Sequence, residues 1–388
     1  MVTRKKRRIA AVPEQPSGSL ALQMPPEKAE PASMGNVLMM VVPMLGSTGV
    51  MIFMAMQNNG GGRSMLMGGG MLVAMLGMVG FNMYRQFSQY RTRVKTQRRE
   101  YLSYLAETRE SIRKVAKKQR AYYNWVYPDP DALITLAANG SRLWSREGNT
   151  YNVLTFRYGS GTQPLGLTFE RPPIDPMTEM DVVCLSAMER FIAVHDHTDN
   201  VGKFLYLGDF SHIEVVGEGE SAYDEMRAIM MHLACFIEPS KLKVAVLCSA
   251  DRLGDWEWVK WMPQARSANV RDAIGPARMI STDPRELVEM IGPDIAMRGA
   301  YRPSEDMPEW PHLLLVCDGA EFPTSSPFGS AAGVRGVTIM SRAREWTPMK
   351  SHTALRLVIH PSPNRKGSDV VDVVTMDSVP ESAFADRL

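Results

Sequence analysis

Cysteine is scarce in this chain of 388 residues, and the spacing of its cysteines excludes two classes of protein. A disulfide-rich fold needs a denser set of cysteines, and a zinc module needs paired ligands such as CxxC, which the chain lacks. We therefore expect reduced, buried thiols and no metal site. The four cysteines are Cys184, Cys235, Cys248 and Cys317.

A large excess of one charge is also missing. The 44 lysine and arginine residues nearly balance the 42 aspartate and glutamate residues, which leaves a formal net charge of +2. The part of the chain from Ala121 onward is not notably basic, whereas DNA binding requires clustered lysine and arginine. Nucleic acid is therefore not an expected partner.

Two stretches lack charge altogether. They are Val37 to Met56 and Met65 to Tyr84, and each is 20 residues long. A hydrocarbon core of roughly 30 Å is crossed by about 20 helical residues. These lengths predict a transmembrane hairpin over residues 35–85, with a buried soluble hairpin as the alternative.

Basic residues flank the predicted hairpin on both sides. Residues 4–8 are all basic, six more basic residues follow from Arg85 to Arg99, and the connecting loop holds only Arg63. Basic segments stay on the cytoplasmic side of a membrane. This pattern predicts a multi-pass protein of the inner (cell) membrane with both termini cytoplasmic. Residues 1–34, which contain five prolines, are predicted to be a disordered basic tail.

Residues 86–127 are predicted to form a helical stalk. The segment from Arg85 to Arg120 has twelve basic and three acidic residues and no glycine or proline. Leu102, Leu105 and Ile112 add a partial apolar stripe at helical spacing. Such a helix either packs against partner proteins or anionic membrane lipid, or is simply solvated.

Apolar strands alternate with helices in the last part of the chain. The segments LKVAVLC and HLLLVCD are largely apolar runs, as expected for strands buried on both faces of a parallel sheet. The fold class predicted for residues 128–388 is α/β: a small β-containing segment, then a doubly wound parallel-sheet, P-loop-like domain. We expect this domain to be a degenerate ATPase-like module.

The segment HIEVVGEGESAYDEM has the layout of a phosphate-binding loop but not its chemistry. The motif G-x-x-x-x-G-K-[ST] uses glycines to cradle phosphate, lysine for charge and a hydroxyl for Mg²⁺. Counting from Gly217, with Gly219 inside the loop, the second glycine is replaced by Ala222, the lysine by Tyr223 and the hydroxyl residue by Asp224. These are degenerate phosphate-loop positions, and we expect no catalytic residue among them.

An apolar strand ending in a carboxylate is the usual partner of such a loop. HLLLVCDG supplies Asp318, which is predicted to be a degenerate Walker B residue, with an ordinary strand-end aspartate as the alternative. Gly319 stands where ATPases usually place a second acid. Glu321 is the nearest possible substitute.

Two further patterns are weaker. His195 and His197 are spaced for a metal site, but a polar turn after a helix is favoured. The three tryptophans of DWEWVKWMP favour packing or a protein contact over stacking on nucleic acid bases.

Several phrases, taken in order, resemble one family. The phrases are YLSYLAETRESI, YPDPDALITLA, LWSREGNTYNVLTFRYGSGTQPL, MRAIMMHLACFIEP and DWEWVKWMPQ. On these phrases the chain resembles the N-terminal part of EccC, the membrane ATPase of bacterial type VII secretion systems, which is related to the FtsK/SpoIIIE translocases. Gln264 stands where the similar family phrase ends in histidine.

The resemblance implies a function and partners. Family members continue into three FtsK-like ATPase modules that use ATP and Mg²⁺, and this chain is expected to stop before them and to hold no cofactor itself. Its expected role is that of a membrane anchor and coupling part. The implied partners are other membrane subunits of the secretion complex, further copies of the chain and, through the downstream modules, small helical secreted proteins.

Two other functions stay open from the sequence. One is a membrane-tethered ATPase with a non-standard nucleotide site, and the other is a fragment of an FtsK-like DNA translocase. Because the phosphate loop departs from the motif at three positions, we do not expect ATP hydrolysis by this chain alone.

Overall fold

A computed structural model gives the architecture of the chain. The structure describes residues 12–30, 39, 42–43, 46–47, 49–50, 53–54, 57, 63–140, 142–146, 151–302, 310–343, 348–349, 351–363, 368–377 and 381–385. Most of the first predicted transmembrane stretch, Val37 to Met56, lies outside these residues.

The chain forms two compact units. The sheet unit consists of Met1–Gln15, Lys117–Pro164 and His197–Leu388, and the small unit consists of Pro16–Ala116 and Leu165–Asp196. The boundaries predicted from composition, at residues 34, 85 and 127, stay a prediction.

The small unit combines helices with a short parallel ladder. Strand β1 (Gly18–Ala21) pairs in parallel with β3 (Leu167–Glu170), so four residues of the segment predicted to be disordered form a strand. Helix α1 (Arg63–Val126) belongs to this unit up to Ala116, and α3 is Val182–His195.

An apolar core and one ion pair stabilise the small unit. The Asp181 carboxylate accepts hydrogen bonds from the backbone N–H groups of Val183 and Cys184 at the start of α3, and it pairs with Arg98 of α1 at 2.8 Å. Partial burial opposes the charge of Asp181, but these bonds and Arg98 outweigh it and lower the pKa of Asp181. The core residues are Leu22, Tyr101, Leu105, Ile112, Leu165, Cys184, Met188 and Phe191.

The predicted transmembrane hairpin is wrong for the described residues. None of the helices in the described part of the chain combines the length and the apolar content that a membrane crossing needs. The stretch from Met65 to Tyr84 lies inside α1, and five of its residues are glycines, which add no apolar side chain. The predicted multi-pass membrane location, which depended on this hairpin, is corrected with it.

The sheet unit contains a large mixed sheet. Its ten strands lie in the order β4-β2-β14-β13-β12-β5-β11-β10-β6-β9. The strands are β2 (Thr155–Pro164), β4 (His197–Tyr206), β5 (His212–Gly217), β6 (Leu242–Cys248), β9 (Ile280–Ser281), β10 (His312–Asp318), β11 (Val337–Ala343), β12 (Ala354–Pro361), β13 (Asp369–Val374) and β14 (Glu381–Ala385). A separate antiparallel hairpin consists of β7 (Arg266–Asp272) and β8 (Gly275–Arg278).

Only part of this sheet is parallel. Strands β12, β5, β11, β10, β6 and β9 pair in parallel, whereas β13, β14, β2 and β4 add an antiparallel extension. The fold is therefore mixed α/β with a large, parallel-rich sheet. The predicted small β segment is split, because β2 joins the large sheet and β3 belongs to the small unit.

Helices lie on both faces of the parallel part. The helices of the sheet unit, besides the end of α1, are α2 (Pro130–Asn139), α4 (Ser221–Phe236), α5 (Leu253–Trp256), α6 (Pro284–Ile291) and α7 (Pro293–Ala296). Leu314 and Val316 of β10 share a core with α4, whereas Leu313 and Leu315 share a core with α6. This two-sided burial explains why β10 is apolar between His312 and Asp318.

Candidate functional site

The loop between β5 and α4 is a tight turn that joins a strand directly to a helix. A Cβ atom at Gly217 would lie 2.8 Å from Ser221 Oγ and 3.2 Å from the amide nitrogen of Ala222, so only glycine allows this close approach. Gly219 has a φ of +59°, in the left-handed region that favours glycine. The Ser221 hydroxyl donates to the carbonyl oxygen of Glu218 at 2.7 Å. Strand, tight turn and helix thus follow one another over Gly217–Asp224.

A buried aromatic ring occupies the position of the motif lysine. The Tyr223 ring is 6% exposed and packs edge-to-face on Trp256 with ring centroids 5.0 Å apart. Its hydroxyl donates to the carbonyl oxygen of Asp255 and accepts a hydrogen bond from Trp258 Nε1 at 3.3 Å. Burial raises the pKa of Tyr223, so the phenol is neutral. Tyr223 itself therefore supplies no positive charge, and the guanidinium groups of Arg227 and Arg252 lie over its ring at 4.7 Å and 5.6 Å.

The side chains at the other two substituted positions also make their contacts within the sheet unit. Ala222 is fully buried in the core beneath the loop. Asp224 pairs with Arg227 at 2.8 Å, one turn along α4. That the loop descends from a phosphate-binding one stays a prediction.

Asp318 is held by three side chains that the sequence reasoning did not connect with it. It ends β10 and is 1% exposed. Its Oδ2 atom accepts hydrogen bonds from Trp256 Nε1 at 2.9 Å and from Arg252 Nε at 3.1 Å. Arg342 Nη1 lies 3.8 Å from Oδ1. We refer to Asp318, Arg252, Trp256 and Arg342 as the Asp318 cluster.

Arg342 connects this cluster to the loop. It lies near the end of β11, the strand between β5 and β10, and its Nη2 donates to the carbonyl oxygen of Gly219 at 2.7 Å. One guanidinium therefore contacts both the loop backbone and Asp318. The structure thus brings the two halves of the predicted site together, with an arginine between them.

Arg252 lies among three carboxylates. Besides Asp318, it pairs with Asp255 at 2.9 Å and with Glu220 of the loop at 3.8 Å. Partial burial opposes its charge, but the hydrogen bond and the charges of these carboxylates outweigh burial and raise the pKa of Arg252. Burial, together with the smaller effect of the negative charge of Asp318, raises the pKa of the neighbouring Cys248 thiol to about 11. These acids and arginines largely neutralise one another.

The residues present do not fit Mg²⁺ and ATP in the way of a P-loop site. Such a site needs a lysine on the phosphates, a hydroxyl ligand for Mg²⁺ and a carboxylate free to hold the metal shell. Here Tyr223 stands in place of the lysine and Asp224 in place of the hydroxyl residue. Oδ2 of Asp318 already accepts hydrogen bonds from Arg252 and Trp256, and only the buried Oδ1 has no hydrogen-bond partner among the described residues. We derive no nucleotide chemistry at this site.

Sequence reasoning missed Arg252 and Arg342, although one signal could have found them. Arg252 follows β6 by a few residues and Arg342 lies near the end of β11. The carboxyl ends of parallel strands meet at one edge of a sheet, so both arginines belong to the same edge as Asp318. Trp256 was expected to pack, and it is fully buried.

The other residues singled out in the sequence lie elsewhere. Glu321 lines a cavity of about 460 Å³ with His212 and Glu214. Gln264 is buried and donates to the carbonyl oxygens of Ala234 and Ile237 at the end of α4, both at 2.9 Å. Within the described ranges, no group of three or more His, Cys, Asp or Glu residues is arranged to hold a metal ion.

Comparison with known proteins identifies relatives. No protein family model matches the chain. The ESX secretion system protein EccC of Thermomonospora curvata is 30% identical over 100% of this chain and 30% of its own length. EccC3 of the ESX-3 system of Mycobacterium tuberculosis is 34% identical over 64% of this chain and 18% of its own length. EccC5 of the ESX-5 system of Mycobacterium marinum is 29% identical over 84% of this chain and 24% of its own length.

This chain therefore spans less than a third of the length of these relatives. Among solved structures, the cytoplasmic domain of the Thermomonospora curvata type VII secretion ATPase EccC aligns with 49% of this chain and 25% of its own, at 14% identity and a TM-score of 0.33. That structural similarity is too low to define a common fold. The match in sequence covers the whole chain, and it confirms the resemblance found in the phrases above. The chain belongs to the EccC family of ESX, or type VII, secretion system proteins.

Proposed function

We propose that this chain acts in type VII secretion as a non-catalytic, ATPase-like module that couples neighbouring ATPase modules to the other subunits of the secretion complex. Sequence identity with a secretion system protein along the whole chain supports a role in type VII secretion. The observation that carries the non-catalytic role is the Asp318 cluster, in which the chain's own arginines and tryptophan surround the only acid at the end of β10.

Coupling by contact requires a surface that a neighbour can reach. The loop is well placed, because Glu218 and Glu220 lie at its exposed turn, and the Glu220 side chain is 65% exposed. Its backbone accepts a hydrogen bond from Arg342 of β11, the strand that pairs with β5. A displacement of the loop would therefore also act on the sheet. The proposed partners are other subunits of the secretion complex, with further copies of this chain among them.

An export assay tests this proposal. The double variant Glu218→Ala/Glu220→Ala is expected to reduce export of the secreted substrates at an unchanged level of the protein. Solvated loop carboxylates contribute within about ±0.5 kcal/mol to stability, so unfolding is not the expected reason. The matched control is Glu257→Ala/Glu289→Ala, which removes two carboxylates elsewhere in the sheet unit. Wild-type export by the loop variant would refute coupling through this loop.

A further inference from the structure

Two guanidinium groups lie in an aromatic cluster away from the Asp318 site. Arg142 lies over the Trp125 ring at 3.8 Å, and Arg146 lies over the rings of Phe236 and Tyr127 at 5.0 Å and 5.4 Å. Arg142 is only 9% exposed. Because aromatic faces attract cations, the rings stabilise both charges, but they leave both charges in place.

The hydrogen bonds of these arginines go to neutral acceptors. Arg146 donates through Nη1 to the carbonyl oxygen of Thr155 and through Nη2 to that of Val126 at 3.1 Å. Arg142 donates to the carbonyl oxygen of Trp125. In the part of the chain that the structure describes, no carboxylate forms an ion pair with either arginine. A desolvated cation is normally paired with an anion.

The groups nearby do not supply negative charge. His232 is fully enclosed, and burial, followed by the charges of Arg146, Arg157 and Arg142, lowers its pKa well below its usual value, so the ring is neutral. Burial raises the pKa of Tyr127, which also stays neutral. Burial lowers the pKa of Arg146 to about 10, which still leaves it protonated at neutral pH.

A cavity of about 430 Å³ opens beside Arg146. Its other walls mix polar and apolar surface in similar amounts: the rings of Tyr122, Tyr123 and Phe204 line it beside the polar side chains of Gln15 and Ser145. This volume lies in the range of small-molecule sites. It is much larger than an inorganic anion needs. The cavity therefore matches a ligand with one negative group and an apolar body.

We propose that this cavity is a binding site for a carboxylate carried on a flat apolar group, with Arg146 as the cation that binds it. The carboxylate belongs either to a small molecule or to an acidic or C-terminal residue of a polypeptide. In both cases the guanidinium pairs with the carboxylate and the rings of Tyr122, Tyr123 and Phe204 contact the apolar part. The site does not depend on the function proposed above.

The test uses the full chain and two pairs of probes. Phenylacetate is compared with its neutral analogue phenylacetamide by ligand-observed NMR. A pentapeptide ending in phenylalanine with a free carboxylate is compared with its C-terminal amide by calorimetry. We expect saturable binding of an acid, at least about tenfold tighter than that of its amide. Tighter binding of phenylacetate indicates a small-molecule ligand, and tighter binding of the peptide indicates a polypeptide ligand.

Two variants locate the binding. Arg146→Gln removes the cation, and Ser145→Trp fills the cavity while keeping the cation. Each should weaken binding of the acid at least about tenfold, whereas the exposed Arg285→Gln should change it less than about twofold. If Arg146→Gln does not fold, Ser145→Trp and the comparison of acid with amide decide the matter. Equal binding of acid and amide, no saturable binding of either acid, or unchanged binding in Ser145→Trp would overturn the proposal.

Discussion

Replacement of Asp318 by asparagine distinguishes a structural carboxylate from a functional one by the sign of its effect on stability. Asparagine keeps the shape and one oxygen acceptor, so Trp256 Nε1 can still donate a hydrogen bond, but the negative charge is lost. A carboxylate kept for metal binding is usually unfavourable in the free protein, and its removal then tends to stabilise. In the Asp318 cluster the charge is already paired, so its removal should destabilise the sheet unit.

The magnitude follows from the contacts. Breaking a fully buried ion pair costs about 3–5 kcal/mol, and an exposed pair contributes about 0–1 kcal/mol. Asp318 is 1% exposed, but Arg252 is 16% exposed and keeps Asp255 at 2.9 Å after the substitution. We therefore expect a loss of about 2 kcal/mol. At a urea slope of about 3 kcal/mol per molar, the midpoint should fall by about 0.7 M.

Tryptophan fluorescence is a suitable assay, because all seven tryptophans of the sequence fall within the sheet unit. The urea midpoint seen by fluorescence therefore reports this unit without a contribution from the small unit. The matched control is Asp131→Asn at the exposed start of α2, which should change stability by less than about 0.5 kcal/mol. An unchanged or higher midpoint for Asp318→Asn would show that the pairing of Asp318 does not stabilise the fold.

Two further predictions concern the core of the sheet unit. Met230 of α4 is fully buried, so Met230→Asp should destabilise the unit by several kcal/mol, whereas Met297→Asp, at a position of the same unit that is 83% exposed, should leave urea unfolding nearly unchanged. Equal midpoints for these two variants would contradict the assigned core. Burial lowers the pKa of His312 to about 3, so the unfolded chain takes up a proton below about pH 6.5 that the folded chain does not, and stability should fall as the pH falls from about 6.5 to 3. One such histidine contributes about 2 kcal/mol to the loss of stability between pH 7 and pH 5. His312→Leu should therefore reduce this loss by about that amount. An identical loss in wild type and variant would contradict the burial of His312.

Local patterns predicted the elements of the candidate site correctly, but not what fills it. Gly217 and Gly219 stand where a strand turns tightly into a helix, and the largely apolar β10 ends in Asp318, as the sequence indicated. Arg252 and Arg342 reach the same place from other strands. Their approach depends on the strand order β5-β11-β10-β6, which sequence periodicity does not contain.

The errors in the fold prediction have a physical cause too. An uncharged stretch of about 20 residues is a necessary condition for a membrane helix, but it is not a sufficient one. Strands β2 and β4 were missed as part of the main sheet for another reason. Strand β2 joins the sheet by pairing with β14, which is distant in the sequence, as in the pair Gly159 and Ala385, and such long-range pairing leaves no local signal.

Exposure of the full chain to Mg²⁺ and ATP tests the central claim most directly. That claim is that Asp318, predicted to be a degenerate Walker B residue, is already bound by Arg252 and Trp256 of the chain itself. Equilibrium dialysis and a phosphate-release assay, each at about 1 mM ATP, cover the usual range of KM for enzymes. We predict no saturable binding and no release of phosphate above background. Turnover by wild type that is lost in Asp318→Asn, in a variant still folded by fluorescence, would contradict the account.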